Sequence, residues 1–198
     1  MANWDRSLST AHISNDYANY EAARSAFFTL IVDDIDGLIK ATYKGNAEDA
    51  TDVDKIAKAQ EYLKLNVLTS SVPHFSVEAH EYRRGNEVVK FAGVPTFDAG
   101  EITVDDIVGL DTKSILLAWQ GLVYNVHTRK GGRMKDYKKN CTLVEYTQDY
   151  EPIRQWTLYG CFPLSLSEDA FNREQDGKRQ ITMSLSYDRA IPQEIGKA

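Results

Sequence analysis

Apolar and polar residues alternate along several short stretches of this chain, and one longer stretch repeats at the helical period. Residues 62–69 place Leu63, Leu65 and Val67 on one side and Lys64 and Asn66 on the other, which predicts a strand with one wet face. Residues 75–82 set Phe75, Val77 and Ala79 against Ser76, Glu78 and His80. Arg83 to Asn86 form a hairpin-type turn, and strands are expected over 88–92 and 101–107. A corner at Pro95-Thr96-Phe97-Asp98 separates those two strands. Within 101–107, Ile102 and Val104 share a side opposite Glu101, Thr103 and Asp105. Strands over 141–147 and 153–159 flank a turn at Gln148-Asp149-Tyr150. Residues 180–187 turn Ile181, Met183, Leu185 and Tyr187 inward and Thr182, Ser184 and Ser186 outward. Residues 27–32 are an unbroken apolar run with β-branched members, which predicts a buried strand.

The helical stretch runs over about 111–125, with Ile115, Leu116, Trp119, Leu122, Val123 and Val126 on its apolar side. Shorter helices are expected over 15–26, with Tyr17, Tyr20 and Ala23 on one face, and over 52–60 behind an Asp52 cap. Pro163 is expected to end its strand, 165–171 to make a helical turn, and the tail from Asp188, with Pro192, to stay irregular. About eight strands and one long helix predict a mostly β class: an antiparallel sandwich or barrel with one packed helix. The expected organisation is an arm over 1–26, one domain over 27–189 with an insertion at about 38–60, and a tail over 190–198.

Composition narrows the function. The chain has 198 residues, 42% of them hydrophobic, enough for one domain with a real core. Its net charge of −6 argues against a sequence-specific DNA binder, which needs basic surface against phosphates. No apolar run approaches the ~20 residues of a membrane span, and the N-terminal residues lack the pattern of a signal peptide. Cys141 and Cys161 make no disulfide framework and lack C-x-x-C spacing, so buried free thiols and a reducing cytoplasm are expected, with an intersubunit disulfide as the alternative.

No catalytic constellation emerges. There is no G-x-S-x-G, no phosphate-binding loop and no G-x-G-x-x-G. His74, Glu78 and His80 share parity, but an exposed strand face explains them better than a metal does. Asp33, Asp34 and Asp36 lack the spacing of a calcium loop and read as a turn. No cofactor, metal or catalytic residue is therefore expected. Two charge clusters remain. Asp98, Glu101, Asp105, Asp106 and Asp111 occur without a base. Arg129, Lys130, Arg133, Lys135, Lys138 and Lys139 surround the single acid Asp136. They are either two solvated faces or the two halves of a head-to-tail contact, of the kind that builds rings and filaments.

The order of these segments resembles the tail tube proteins of contractile-tailed bacteriophages. The resemblance rests on the strand at 27–32, on Thr96-Phe97-Asp98 followed by the alternating Glu101-Ile102-Thr103-Val104, and on a helix carrying Trp119. It continues with Tyr137-Lys138-Lys139 leading into a strand, the strand 153–159 with Gly160, Phe162-Pro163, and a last strand ending at Tyr187. It covers about 27–36 and 62–189, and the segment 39–60 looks like an insertion. The resemblance implies hexameric rings stacked into a tube, with sheets joined edge to edge into one inner barrel. It also implies a sheath outside, DNA and a tape-measure protein in the lumen without specific binding, and baseplate and tail-terminator proteins at the ends. Assembly would take place in the host cytoplasm and end in the virion tail.

On this reading Glu101, Thr103 and Asp105 are candidate lumen-facing residues. Arg129, Lys130, Arg133, Lys135, Asp98 and Asp106 are candidate contacts between subunits or rings. Ile115, Leu116, Trp119 and Leu122 pack the helix onto the core. The alternatives are the tube of a bacterial secretion or contractile injection machine and a monomeric β-sandwich binding module.

Overall fold

A computed structural model of the chain describes residues 24–34, 37, 67–106, 112–169 and 177–194. The elements in order are β1 (Phe28–Val32), β2 (Val67–Ser70), β3 (Phe75–Arg84), β4 (Glu87–Phe97), β5 (Gly100–Asp105), α1 (Thr112–Val123), β6 (Tyr124–Asn125), β7 (Lys130–Gly131), α2 (Met134–Tyr137), β8 (Lys139–Tyr146), β9 (Pro152–Glu168), β10 (Gln180–Ser186) and β11 (Arg189–Glu194). Seven strands form one antiparallel sheet in the order β1-β8-β9-β10-β5-β2, with β11 also paired to β9. The β3–β4 and β6–β7 pairs stand apart as hairpins.

The 17-residue β9 folds this sheet into two layers. Its first half pairs with β8 and β11, and its second half with β10. The corner is Gly160, at φ +68°. Its N–H donates to Asn140 Oδ1 at 3.3 Å. Beside it the Asp188 N–H donates to the Tyr159 carbonyl at 2.9 Å, so β10 and β11 turn the corner together with β9. Lys138 Nζ holds both oxygens of Asp188, at 2.7 and 2.8 Å.

Alternation then assigns the core. Leu30, Val32, Leu143 and Leu158 from the first layer meet Ile102, Val104, Ile181, Met183, Leu185 and Tyr187 from the second. Ile115, Leu116 and Trp119 of α1 are buried in the same cluster, and Leu122 packs against it half-buried. The Trp119 indole N–H donates 2.8 Å to the Tyr137 carbonyl, which ties α1 to α2. Cys141 and Cys161 are buried free thiols inside this core.

Several boundaries differ from expectation, for identifiable reasons. Pro163 does not end its strand, and 165–168 is not helical: β9 runs on to Glu168. The tail is not irregular from Asp188, because β11 pairs with β9 from Arg189 to Glu194. Pro95, Thr96 and Phe97 belong to β4, which leaves the corner to Asp98 and Ala99. A proline breaks a strand only where its missing N–H is needed by a partner. Here Pro152 opens a strand, Pro95 adjoins a bulge, and Pro163 and Pro192 stand where a described strand pairs on one side only. The helix stops at Val123 rather than at 125, because Tyr124 and Asn125 pair with β7. The basic cluster 129–139 spans β7 and α2, and Lys139 already belongs to β8. Of the expected helix over 15–26 only residues 24–26 are described, and they form a turn closed by the Phe27 N–H on the Arg24 carbonyl; the expected helix over 52–60, the insertion and the rest of the arm lie outside the described residues.

Candidate assembly surfaces

The outward side of the second layer is a polar face. Register places Thr69, Thr103, Thr182 and Ser167 side by side across β2, β5, β10 and β9. A second row holds Glu101, Ser184 and Ser165, and Asp105 stands opposite Gln180. The hydroxyls of Thr103 and Thr182 lie 3.4 Å apart. Among the described residues of these rows there are two acids, no base and no large apolar side chain. Glu101, Thr103 and Asp105 thus stand on one side of β5, while Ile102 and Val104 are buried on the other.

The layer has two strand edges that no described strand covers: β2 on one side and the second half of β9 on the other. Three antiparallel steps separate them, so the two edges run in opposite directions. Each carries a bulge, with the exposed leucines Leu68 and Leu164 at the irregular positions. Between β1 and β2 the sandwich stays open as a groove of about 740 Å³, whose lining includes Phe28, Leu68, Val72, Leu143 and Trp156.

The β3–β4 hairpin has the two strands and the turn expected of it, but its exposure was not legible in the sequence. It is 10 and 11 residues long and exposed along nearly its whole length. Near its base Phe75 pairs with Phe97 and Val77 with Pro95; past the bulge Tyr82 pairs with Val89 and His80 with Phe91. Gly93 is required there, because a Cβ would come 2.8 Å from the Glu78 carbonyl oxygen and 2.7 Å from His80 Nε2. Tyr82, Val88, Val89, Phe91 and Val94 are all exposed. Hydropathy alternation marks such residues as strand but cannot say that no layer covers them.

The charge clusters are partly neutralised within the chain. Asp106 lies 3.7 Å from Arg179, Asp105 lies 4.0 Å from Lys178, and Asp98 lies 3.6 Å from His74. Glu168 bridges Arg179 and Lys113, and the hydrogen bond from Lys113 holds its carboxyl below the usual range. Lys139, only 8% exposed, pairs with Asp34, and Lys138 pairs with Asp188. Arg129, Lys130, Arg133 and Lys135 are exposed, and no ion pair involves them among the described residues. Lys178 and Arg179 were not foreseen as partners, since their placement depends on Gln180 pairing with Asp105.

The described residues contain no group of three metal-ligating side chains, and no described helix is long and apolar enough to cross a membrane. Cys141 is held well above the ordinary thiol range by its hydrogen bond to Cys161 and by burial.

Comparison with known proteins follows the same geometry. A family model described as T4-like virus tail tube protein gp19 matches residues 61–190. Among solved structures, the anti-feeding prophage tube-terminating cap superposes with a TM-score of 0.62 at 14% identity, covering 88% of this chain and 92% of that one. The sheath–tube complex of an extracellular contractile injection system, PVC, in its extended state gives 0.59 at 19% identity, covering 95% and 99%. The sheath/tube terminator of the same system gives 0.58 at 20% identity, covering 89% and 99%. At these identities the likeness is one of fold. No curated protein sequence matches.

Proposed function

Because the chain belongs to the tail tube protein family, we propose that it is a structural tube subunit that works by assembly: copies join into hexameric rings, and the rings stack into a tube. The observation that carries this reading is the pair of uncovered, oppositely directed edges of the second layer. Under cyclic symmetry β2 of one copy meets β9 of the next in antiparallel sense. The ladder then continues around the ring, and each copy's exposed edge is satisfied by its neighbour.

The polar face would then line the lumen, with Glu101, Thr103 and Asp105 among its residues. A wall of hydroxyls and acids hydrogen-bonds water and repels phosphates, so DNA would pass without sticking. The exposed aromatic and β-branched residues of the β3–β4 hairpin, Tyr82, Val89 and Phe91, would contact the next ring. A tape-measure protein in the lumen, a sheath outside, and baseplate and terminator proteins at the ends complete the tail. It would be assembled in the host cytoplasm and delivered in the virion.

A second setting, a contractile injection machine with protein cargo in place of DNA, is compatible with the same fold. The contents of purified particles separate the two: nuclease-protected DNA supports the virion, and protein cargo alone supports the injection machine.

Negative-stain microscopy with light scattering tests the assembly itself. Rings or tubes are expected, and dispersed monomers at high concentration would overturn the reading. Ser70→Pro and Glu168→Pro remove N–H groups that alternate outward at the two edges and should leave folded monomers. Tyr82→Ser with Phe91→Ser should leave rings that do not stack.

A further inference from the structure

Cys141 and Cys161 are the two cysteines of the chain, and tube assembly gives them no role. They stand on neighbouring strands, Cys141 on β8 and Cys161 on β9. Register pairs Lys139 with Cys161 and Cys141 with Leu158, and the ladder shifts between these pairs. On β9 that shift contains Gly160, the left-handed corner residue. Both side chains are 0% exposed within the core cluster, and a hydrogen bond joins the two thiols.

This placement separates the chemistries open to the pair. A cross-link between copies needs a thiol at the surface, and neither cysteine reaches it. A structural zinc site needs four ligands, and no group of three metal-ligating side chains occurs among the described residues. A cross-link within the chain needs two sulfurs in contact on adjacent backbone, which is what β8 and β9 supply.

We propose that Cys141 and Cys161 are an intrachain disulfide site whose redox state is set during folding and then sealed by the core. The site lies within each chain and does not depend on the tube reading. The reaction is exchange with a small-molecule disulfide. One cysteine, as thiolate, attacks a sulfur of the small disulfide, which forms a mixed disulfide and releases one small thiolate. The other cysteine, as thiolate, attacks the protein sulfur of that mixed disulfide, which forms the bond between residues 141 and 161 and releases the second small thiolate. The two released thiolates take up the two protons the cysteines gave, so no further oxidant is required. A sulfur that is 0% exposed meets no small disulfide, so exchange takes place while β8 and β9 are open to solvent. In a reducing medium the sandwich closes over two thiols, and in an oxidising medium it closes over the bond. The bond encloses residues 142–160, and this constraint on the unfolded chain favours the folded one.

The test refolds the full chain from denaturant in buffers of graded oxidised-to-reduced glutathione ratio and counts thiols by mass spectrometry after alkylation. Both thiols should disappear together, and peptide mapping should join Cys141 to Cys161. Half-oxidation of the folded chain, approached from both sides, should need a glutathione ratio about tenfold or more below that needed in denaturant. The Tm of the oxidised chain should lie roughly 5–15 °C above that of the reduced one. The reduced chain, once folded, should keep both thiols in the same buffers, and Cys161→Ser should leave Cys141 unable to form the internal bond. A folded chain that needs as high a ratio as the denatured chain overturns the proposal. So do disulfide-linked dimers, and so does thiol loss as fast in the folded chain as in the denatured one. Expression in a host cytoplasm lacking its disulfide-reducing enzymes tests the site without refolding. The internal bond is expected there, and two free thiols overturn the proposal.

Discussion

Gly160 and Asp188 sit against each other at the corner where β9 and the β10–β11 run leave one layer for the other. Gly160 has φ +68°, and a Cβ there would overlap the Asp188 carboxylate that Lys138 holds. The corner needs glycine twice over, for its backbone conformation and for its space.

Gly160→Ala should therefore destabilise the fold by about 1–3 kcal/mol from the positive φ alone, with more from the overlap. Adding Asp188→Ala should recover the overlap part and leave the backbone part. Denaturant unfolding of the two variants measures the difference. A Gly160→Ala protein as stable as the parent would sink the account of the corner.

Trp119 is 1% exposed and spends its only polar group on the Tyr137 carbonyl. Trp119→Phe should keep the helix packed but leave that carbonyl without its donor and the pocket underfilled. The expected cost is about 1–3 kcal/mol, read by thermal unfolding.

The thiols of Cys141 and Cys161 are buried against each other, and the Cys141 pKa is raised first by their hydrogen bond and then by burial. A thiol reacts as thiolate, so both should resist dithionitrobenzoate in the folded chain and react fully in denaturant. Fast native reaction at Cys141 would contradict this.

Glu168 titrates below its ordinary range because Lys113 donates to it, with Arg179 adding charge. A carboxyl with a depressed folded pKa contributes stability above the unfolded value of about 4.3, and that contribution disappears as pH falls through the folded value. Glu168→Gln should therefore lower stability slightly near neutrality, where the contribution is fully present, and flatten the acid limb below about pH 4.3, where it is lost. An acid limb as steep as the parent's would show that Glu168 does not contribute to it.

Much of the fold was legible in order and type. Alternation at Ile102 and Val104, and at Ile181, Met183 and Leu185, named the buried side of two strands, because a half-buried sheet enforces period two. The spacing of Ile115, Leu116 and Trp119 named the buried face of α1. Pro163 and Pro192 misled, since their effect depends on how many neighbours a strand has. The basic stretch read as one charge cluster, yet Lys138 and Lys139 are drawn to Asp188 and Asp34 while Arg129 to Lys135 stay exposed.

The sequence by itself determined the periodicities, the charge balance and the family to which the ordered segments belong, because these depend on neighbours along the chain. Only the tertiary structure decided which edges no described strand covers, that the β3–β4 hairpin is exposed beyond its base, where Phe97 packs on the core, and which charges find partners. Those outcomes depend on pairings such as Asp105 with Gln180 and Arg189 with Tyr159. They join residues far apart in the chain, and only the folded core holds them in register.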